Sequence, residues 1–494
     1  MNRAIRRVGI GVMVLMLALV GQLTYLQVVD AKKLSDDPRN VRNSIRDFNR
    51  PRGEIQTADG QIVAKSVPRK GEFKFQREYP LGDLFGQISG YQSFTFGNTG
   101  IEKSKNNDLV GRKTSLQLDK LRRLSDLPNS LLKDATGNVV LSIDGKAQVA
   151  ARDALGTHVG AVVAIDPKDG ALLALWANPS YDPNLLAVHD PTQADARFTF
   201  LNAAPSKPLV SRAFRERFAP GSTFKTVTSA VGLDSGQITP DTSFPTLTQL
   251  DLPLSTSKLR NFGGERCGGT VTQSFIESCN TTFARIGLDL GRTGVFNPGM
   301  EKVGIGQRPP LDIDPGAVAS AGPLDKTFKL DAPTFALAGI GQGEVSVTPL
   351  QMALVAAGIA NGGVIMEPHS VAKITNTDDK TISTVKAKQW TTAMSPQTAE
   401  EVKQMMIQVV QRGTGTPAQI PGVTVAGKTG TAQVDNQPAP NAWFIAFAPA
   451  ENPRVAIAVL VQNGGNGNSD ATGGRVAAPI AKQVLQALLA MPPR

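Results

Sequence analysis

A serine hydroxyl becomes a nucleophile only when a neighbouring base takes its proton. The spacing Ser-x-x-Lys, which can supply such a base, begins at Ser130, Ser222, Ser255, Ser370 and Ser383, so the tetrad alone singles out nothing. Ser222-Thr223-Phe224-Lys225 differs from the rest in its setting. Pro220-Gly221 leads into it, and Thr226 to Leu233 continues as a helical stretch that stops near Gly236. Positions three apart on a helix share a face, with Cβ atoms about 5–6 Å apart, which brings the Lys225 amine to the Ser222 hydroxyl. A helix N-terminus also offers free N–H groups and partial positive charge to a developing oxyanion. Downstream, Ser278-Cys279-Asn280 adds a second hydroxyl and a carboxamide, although Ser104-Lys105-Asn106 shows that Ser-x-Asn also recurs. Lys428-Thr429-Gly430 occurs once, runs into Thr431-Ala432 and follows Val423-Thr424-Val425, which predicts a strand. A strand glycine permits close approach of another backbone, here an extended peptide substrate. Taken singly, Lys428 reads as a solvated strand-end lysine and Asn280 as a residue that starts a helix.

The elements that must hold these groups are legible in outline. Ala161–Ile165, a Pro167-Lys168-Asp169-Gly170 turn and Ala171–Trp176 predict a hairpin. Ala442–Ala448 and Val455–Val461 predict a second strand pair, with Trp443 and Phe444 in the core, and Arg475–Leu489 predicts a closing apolar helix. Strands at both ends of a helix-rich segment imply one sheet built from distant pieces. Asp144–Leu155 reads as a helix with Asp144 as N-cap. Residues 31–80 are polar, basic and broken by Pro and Gly, with short apolar pieces at Gln61–Ala64 and Glu72–Phe75. The charged stretch Lys113–Lys133 is expected to be helical.

The chain has 494 residues and a formal charge of +10. A length of this kind supports two or three domains, and 41% hydrophobic residues exclude disorder as the main state. Residues 1–150 carry 24 basic and 15 acidic side chains, against 28 and 27 in residues 151–494. The excess is therefore an N-terminal feature, and aromatics at 5% supply few bases with a stacking partner, so no nucleic-acid partner is expected. Arg3, Arg6 and Arg7 precede an uncharged run from Val8 to Val29. Its length, about 33 Å as a helix, matches a bilayer core of roughly 30 Å. Gln22, Thr24 and Gln27 weaken its end, and a cleaved signal peptide has the same front half, but no clean A-x-A site follows. The reading is a retained single-pass anchor in the cell membrane, with the N-terminus cytoplasmic and everything after Asp30 outside. Positive charge just beyond the span suits anionic headgroups or lipid-linked precursors. Three histidines and two cysteines give no metal-ligand spacing, so no metal and no cofactor are expected. Cys267 and Cys279, twelve residues apart, are either an exported protein's disulfide or two separate buried thiols.

Ser222-x-x-Lys225, Ser278-x-Asn280 and Lys428-Thr429-Gly430, in that order, resemble the signature of penicillin-binding proteins and serine β-lactamases. Gly160–Pro179, Arg212-Ala213-Phe214, Gly341-Gln342-Gly343, Thr348-Pro349-Leu350-Gln351 and Asn441-Ala442-Trp443-Phe444 resemble the class B transpeptidase domain. Arg52-Gly53-Glu54-Ile55 and Gly100-Ile101-Glu102 resemble that class's dimerisation or pedestal module. The resemblance covers the whole chain, most specifically 158–494, and is strongest to the penicillin-binding protein A group of mycobacteria and related actinobacteria. It implies an α+β (α/β sandwich) fold, a central antiparallel sheet flanked by helices, with a smaller mixed N-terminal domain. The expected division is 1–29 cytoplasmic tip and anchor, 30–150 pedestal and 151–494 transpeptidase domain. The stretch before Gly160 is too short for a glycosyltransferase domain, which argues against class A.

The same resemblance implies the chemistry. Ser222 would attack the carbonyl between two D-alanines of a peptidoglycan stem peptide, and Lys225 would take its proton. Lys428 and burial would depress the Lys225 pKa. Ser278 would relay the proton to the leaving amine, and Asn280 would hold Lys225 and the substrate amide. Lys428 and Thr429 would hold the substrate carboxylate, and the N–H groups of Ser222 and Thr431, beside Gly430, would form the oxyanion hole. β-Lactams would be covalent inhibitors. A polytopic SEDS-type glycosyltransferase and divisome or elongasome proteins are the implied partners. The alternatives are a D,D-carboxypeptidase or β-lactam hydrolase, or a β-lactam receptor or divisome scaffold with dispensable catalysis. No Glu-x-x-x-Asn between Asn280 and Lys428 supplies the deacylating glutamate of class A β-lactamases. A receptor would carry a cytoplasmic signalling segment, whereas seven residues precede the span.

Overall fold

The structure is a computed structural model that describes residues 2–30, 41–112, 136–433, 439–464 and 471–492. It divides into two compact units, Met1–Arg52 with Ser66–Gln76, and Gly53–Lys65 with Arg77–Arg494. In the first unit, helix α1 (Asn2–Thr24) runs into a π-helical turn, Tyr25–Val29. The segment Arg3–Val29, uncharged from Val8 to Val29, is long and apolar enough to cross a bilayer and buries none of its apolar stretch within the described chain. A separate helix, Val41–Phe48, sets Phe48 against Phe73 with ring centroids 5.3 Å apart.

The second unit is organised by a five-stranded sheet of β1 (Gly160–Ile165), β2 (Leu172–Asn178), β3 (Ala426–Ala432), β4 (Asn441–Ala448) and β5 (Val455–Val461). The order is β3-β4-β5-β1-β2, antiparallel throughout, so the two ends of the segment meet where β5 pairs with β1. Every residue of β4 and β5 is buried, Trp443 and Phe444 included, which requires cover on both faces. Helices α2 (Gly145–Leu155), α6 (Pro349–Ala360) and α8 (Ala478–Leu489) provide it. Asp144 caps α2 by accepting from the N–H groups of Lys146 and Ala147, and Thr348 caps α6 by accepting from Gln351. Helix α6 is buried from Pro349 to Ile359, as its lack of charge requires. The remaining helices used below are α3 (Lys225–Asp234), α4 (Val271–Glu277), α5 (Asn280–Thr293) and α7 (Pro396–Arg412). In a second sheet, Ile55–Gln56, Gly137–Leu141, Val371–Asn376 and Thr381–Thr384 are consecutive neighbours.

The hairpin, the second strand pair and the closing helix lie where the sequence predicts them. One element is displaced. Val423–Val425 is not a strand: the Val423 N–H donates to Ile420 O, so the chain is still turning there. The strand starts at Ala426 and carries Lys428-Thr429-Gly430 itself, paired in register with Ile445, Phe444 and Trp443. The expected helix at Lys113–Lys133 lies outside the described residues.

Candidate active site

Gly221–Phe224 is a 3₁₀ turn, and α3 begins at Lys225 rather than at the serine. Side chains three apart eclipse one another in a 3₁₀ turn, so Ser222 and Lys225 still share a face. The turn is tied down locally: Thr223 Oγ1 donates to Pro220 O at 2.9 Å and Thr226 Oγ1 to Thr223 O at 2.7 Å. Gly221 has φ +53°, and a Cβ there would stand 2.5 Å from Thr431 O, so the lead-in position admits no side chain. Its N–H donates to Gly341 O at 3.0 Å, which gives Gly341-Gln342-Gly343 a structural role beneath the nucleophile. Ser222 is half-buried, while Thr223, Phe224 and Lys225 are buried.

Ser278-Cys279-Asn280 is the link between α4 and α5. Ser278 ends α4 in the left-handed region (φ 64°, ψ 40°), Cys279 is the N-cap of α5, and Asn280 is its first residue. A non-glycine residue held there costs about 1 kcal/mol, so the surroundings must over-determine it. They do. Lys225 Nζ donates to Ser278 O at 2.6 Å, to Asn280 Oδ1 at 2.8 Å and to Ser278 Oγ at 3.3 Å. Cys279 is bonded to Cys267, the first residue of a strand that pairs with Ser243–Leu247. Asn280 Nδ2 donates to Arg260 O at 3.1 Å.

Lys428 Nζ donates to Ser278 Oγ at 3.0 Å and to Thr429 O at 3.1 Å. The Ser278 hydroxyl therefore bridges two amines. Both lysines are fully buried, over the rings of Phe283 and Phe275 respectively, and neither has a carboxylate partner among the described residues. Burial, and then the charge of Lys428, hold the Lys225 amine well below the ordinary lysine range. Burial pushes Lys428 down to about 7. Thr429 Oγ1 lies 2.6 Å from Thr414 Oγ1, and Thr431 Oγ1 accepts from Gly473 N at 3.4 Å. Such a site can remove a proton near neutrality, because a neutral amine is available without a separate acid.

The turn that bears Ser222, the Lys225–Ser278–Asn280 cluster and Lys428–Thr431 thus meet at β3, where Lys428 and Gly430 alternate in direction with Thr429 and Thr431. The hydrogen bonds of Lys225 go to Ser278 and Asn280, and none joins it to Ser222. Gly430 has a different neighbour from the expected substrate: a Cβ there would come within 2.6 Å of Pro220 O and 3.0 Å of Thr223 N. The close approach it permits is that of the nucleophile's own turn. The competing Ser-x-x-Lys lysines at 258, 373 and 386 are not buried, which separates Lys225 from them. Asn261, which spacing did not reveal, accepts from Thr281 N and donates to Leu247 O and Glu265 O. It clamps the start of α5 to the strands beside it. Thr414 was equally invisible, because nothing local marks its approach to Thr429.

The family profile of the penicillin binding protein transpeptidase domain matches residues 160–486, and that of the penicillin binding protein A dimerisation domain matches 52–127. The chain is 40% identical to peptidoglycan D,D-transpeptidase PbpA of Mycolicibacterium smegmatis, with 99% of each chain covered. It is 38% identical to PbpA of Mycobacterium tuberculosis, again with 99% of each covered. Among solved structures, penicillin-binding protein A from M. tuberculosis superimposes with a TM-score of 0.80 at 36% identity, over 90% of this chain and all of that one. The penicillin G acyl-enzyme of the same protein gives 0.79 at 36% identity, over 89% and 100%. The fold, the order of the three motifs and these matches agree: the chain belongs to the class B penicillin-binding proteins, and residues 160–486 are their transpeptidase domain.

Proposed function

We propose that the chain cross-links peptidoglycan as a serine D,D-transpeptidase with Ser222 as nucleophile. The observation that carries the assignment is the Lys225–Ser278–Lys428 bridge, with Ser278 Oγ 3.3 and 3.0 Å from the two amines. Neutral Lys225 takes the Ser222 proton as Oγ bonds to the carbonyl carbon of the penultimate D-alanine. The N–H groups of Ser222 and Thr431 stabilise the oxyanion. As the tetrahedral intermediate collapses, the C–N bond to the terminal D-alanine breaks and the proton passes through Ser278 Oγ to the leaving amine. Lys428, near its titration point, and Thr429 hold the substrate carboxylate. An amine of a second stem peptide then attacks the ester, returns its proton along the same path and frees Ser222. A β-lactam enters the first half of this sequence and stays, because among the described residues no carboxylate stands at the two amines to activate water. The test is intact mass after benzylpenicillin. A one-to-one adduct is expected in the native protein and none in Ser222→Ala; an adduct that persists in Ser222→Ala refutes the assignment.

The apolar helix supports a membrane anchor. Arg3, Arg6 and Arg7 in its first turns and no charge from Val8 to Val29 favour a cytoplasmic N-terminus and an extracytoplasmic catalytic domain. Peptidoglycan strands on that side need a polymerase, and a polytopic SEDS-type glycosyltransferase bound through this helix is the partner class we assign. Co-purification that survives loss of the catalytic domain and fails on exchange of Arg3–Val29 supports it; the reverse result overturns it.

A further inference from the structure

Thr414 stands outside the three motifs, yet its Oγ1 lies 2.6 Å from Thr429 Oγ1. It belongs to Gly413-Thr414-Gly415, the turn that ends α7. The N–H groups of Gly413 and Gly415 both donate to Val409 O, at 3.1 and 3.0 Å, which folds the turn back onto the helix. A Cβ on Gly413 would stand 2.8 Å from Ile276 O, and one on Gly474 would stand 2.5 Å from Thr414 O. Backbone therefore packs against the turn on two sides, and an exposed side chain is delivered to Thr429 by a fixed main chain.

A threonine hydroxyl carries one proton and accepts at two lone pairs, so this contact holds a single proton, given by one oxygen or the other. The direction decides what Thr429 presents to an anion. If Thr429 donates to Thr414, it keeps only lone pairs for a further partner, and these repel a carboxylate. If Thr414 donates, the Thr429 proton is free for the carboxylate, and the two bonds polarise one another along one chain. Thr429 is 6% exposed, so the exposed Thr414, rather than bulk water, sets this direction. Thr431, which shares a face of β3 with Thr429, is set in the same sense: its Oγ1 accepts from Gly473 N at 3.4 Å, which leaves its own proton to give. We propose that Thr414 is a positioning residue for recognition of the substrate carboxylate, donating to Thr429 Oγ1 so that Thr429 in turn donates to the anion. This rests on the reading above in which Thr429 holds that carboxylate. Benzylpenicillin carries its carboxylate close to the reacting carbonyl, as the terminal D-alanine of a donor peptide does. Its methyl ester offers only a neutral acceptor, which bonds about half as strongly.

The test measures second-order acylation rates of the full chain in detergent, by intact mass, with benzylpenicillin and with its methyl ester. In Thr414→Val the acid rate should fall about tenfold and the ester rate about twofold, so that their ratio falls about fivefold. Thr414→Ser should restore the ratio. Thr414→Ala removes the hydroxyl without adding an apolar branch at an exposed site; it should match valine and keeps the test readable if Thr414→Val is unstable. Thr414→Val in a Thr429→Val background should change the ratio no further, because the effect passes through Thr429. Equal losses for acid and ester, which a purely structural role would give, overturn the proposal, as does a serine variant that behaves like valine. A further drop in the double variant means that Thr414 touches the carboxylate itself and overturns it too. An adduct that forms in the native chain and vanishes in Ser222→Ala, with an unchanged ratio in Thr414→Val, refutes the Thr414 role alone; a native chain that forms no adduct refutes both readings.

Discussion

Replacing Lys428 with methionine removes one buried amine and keeps an unbranched side chain as far as the Cε position. Lys225 and Lys428 both donate to Ser278 Oγ, at 3.3 and 3.0 Å, so the two nitrogens are at most about 6.3 Å apart. At an effective dielectric of about 20, unit charges at that distance repel by about 2.6 kcal/mol, or about two pH units. Lys428 titrates at about 7, so its repulsion acts below that pH and fades above it. Without the Lys428 charge, Lys225 keeps its proton to higher pH, and acylation needs the free amine. The rising limb of acylation rate against pH should therefore move upward in Lys428→Met, by about two units. Burial, the larger cause of the depressed Lys225 pKa, is unchanged by the substitution and keeps the limb below the ordinary lysine range. Loss of the carboxylate partner lowers the plateau as well, but that change is vertical and separates from the horizontal one. The measurement is the second-order rate of benzylpenicillin adduct formation from about pH 5 to 10. A limb that stays in place or moves downward refutes the view that Lys225 is the base and Lys428 its electrostatic neighbour.

Three further outcomes follow from the same geometry. Stability should rise with pH between about 7 and 10, because the buried amines bind fewer protons folded than unfolded; thermal melts should show this slope, and Lys428→Met should flatten it. Paired Cys267→Ser and Cys279→Ser changes release the N-cap of α5 and remove about 3 kcal/mol of loop constraint; acylation should slow, and unchanged rates would show that Asn280 is held without the bridge. Gly430→Ala places a methyl against Pro220 O and Thr223 N, so the turn bearing Ser222 must shift by several tenths of an ångström; a loss of about tenfold or more in acylation rate with a native circular-dichroism spectrum is expected, and full activity would show that the turn yields freely.

The sequence made the sheet legible because both strand pairs are unbroken apolar runs, Ala442–Ala448 and Val455–Val461 among them, that only a doubly covered sheet can bury. It made the three motifs legible because their chemistry is carried by residue type. Spacing could not rank Ser222 above Ser255 or Ser370, since burial of the lysine is what separates them and burial is a tertiary property. Asn261 and Thr414 escaped for the same reason: each acts on a motif 20 or 15 residues away in sequence through one side chain, without periodicity or composition to mark it. The strand beginning at Ala426 was misplaced by three residues because Val423-Thr424-Val425 has the right residue types for a strand but lies within a turn closed by backbone alone.

The geometry of Gly430 changes what a lysine-threonine-glycine strand means here. If the glycine mainly made room for substrate, the nucleophile's turn and β3 would be independent parts and could drift relative to one another. Instead Pro220 O and Thr223 N fill the space above Gly430, Gly221 lies against Thr431 O, and Trp443, opposite Gly430 in the sheet, donates its indole N–H to Ala219 O at 3.0 Å. The segment from Ala219 to Thr223 is thus seated on β3 and its neighbour by backbone contact and one part-buried hydrogen bond. In the proposed reaction the oxyanion donors come from both pieces, the N–H of Ser222 from the turn and that of Thr431 from the strand. Their relative position is set before substrate arrives, which is the condition for electrostatic stabilisation without reorganisation. Trp443→Phe removes the hydrogen bond and leaves a small cavity while keeping an aromatic ring at the position, so it should lower the acylation rate by more than its loss of stability accounts for. An equal loss of stability and rate would instead assign Trp443 to the core alone.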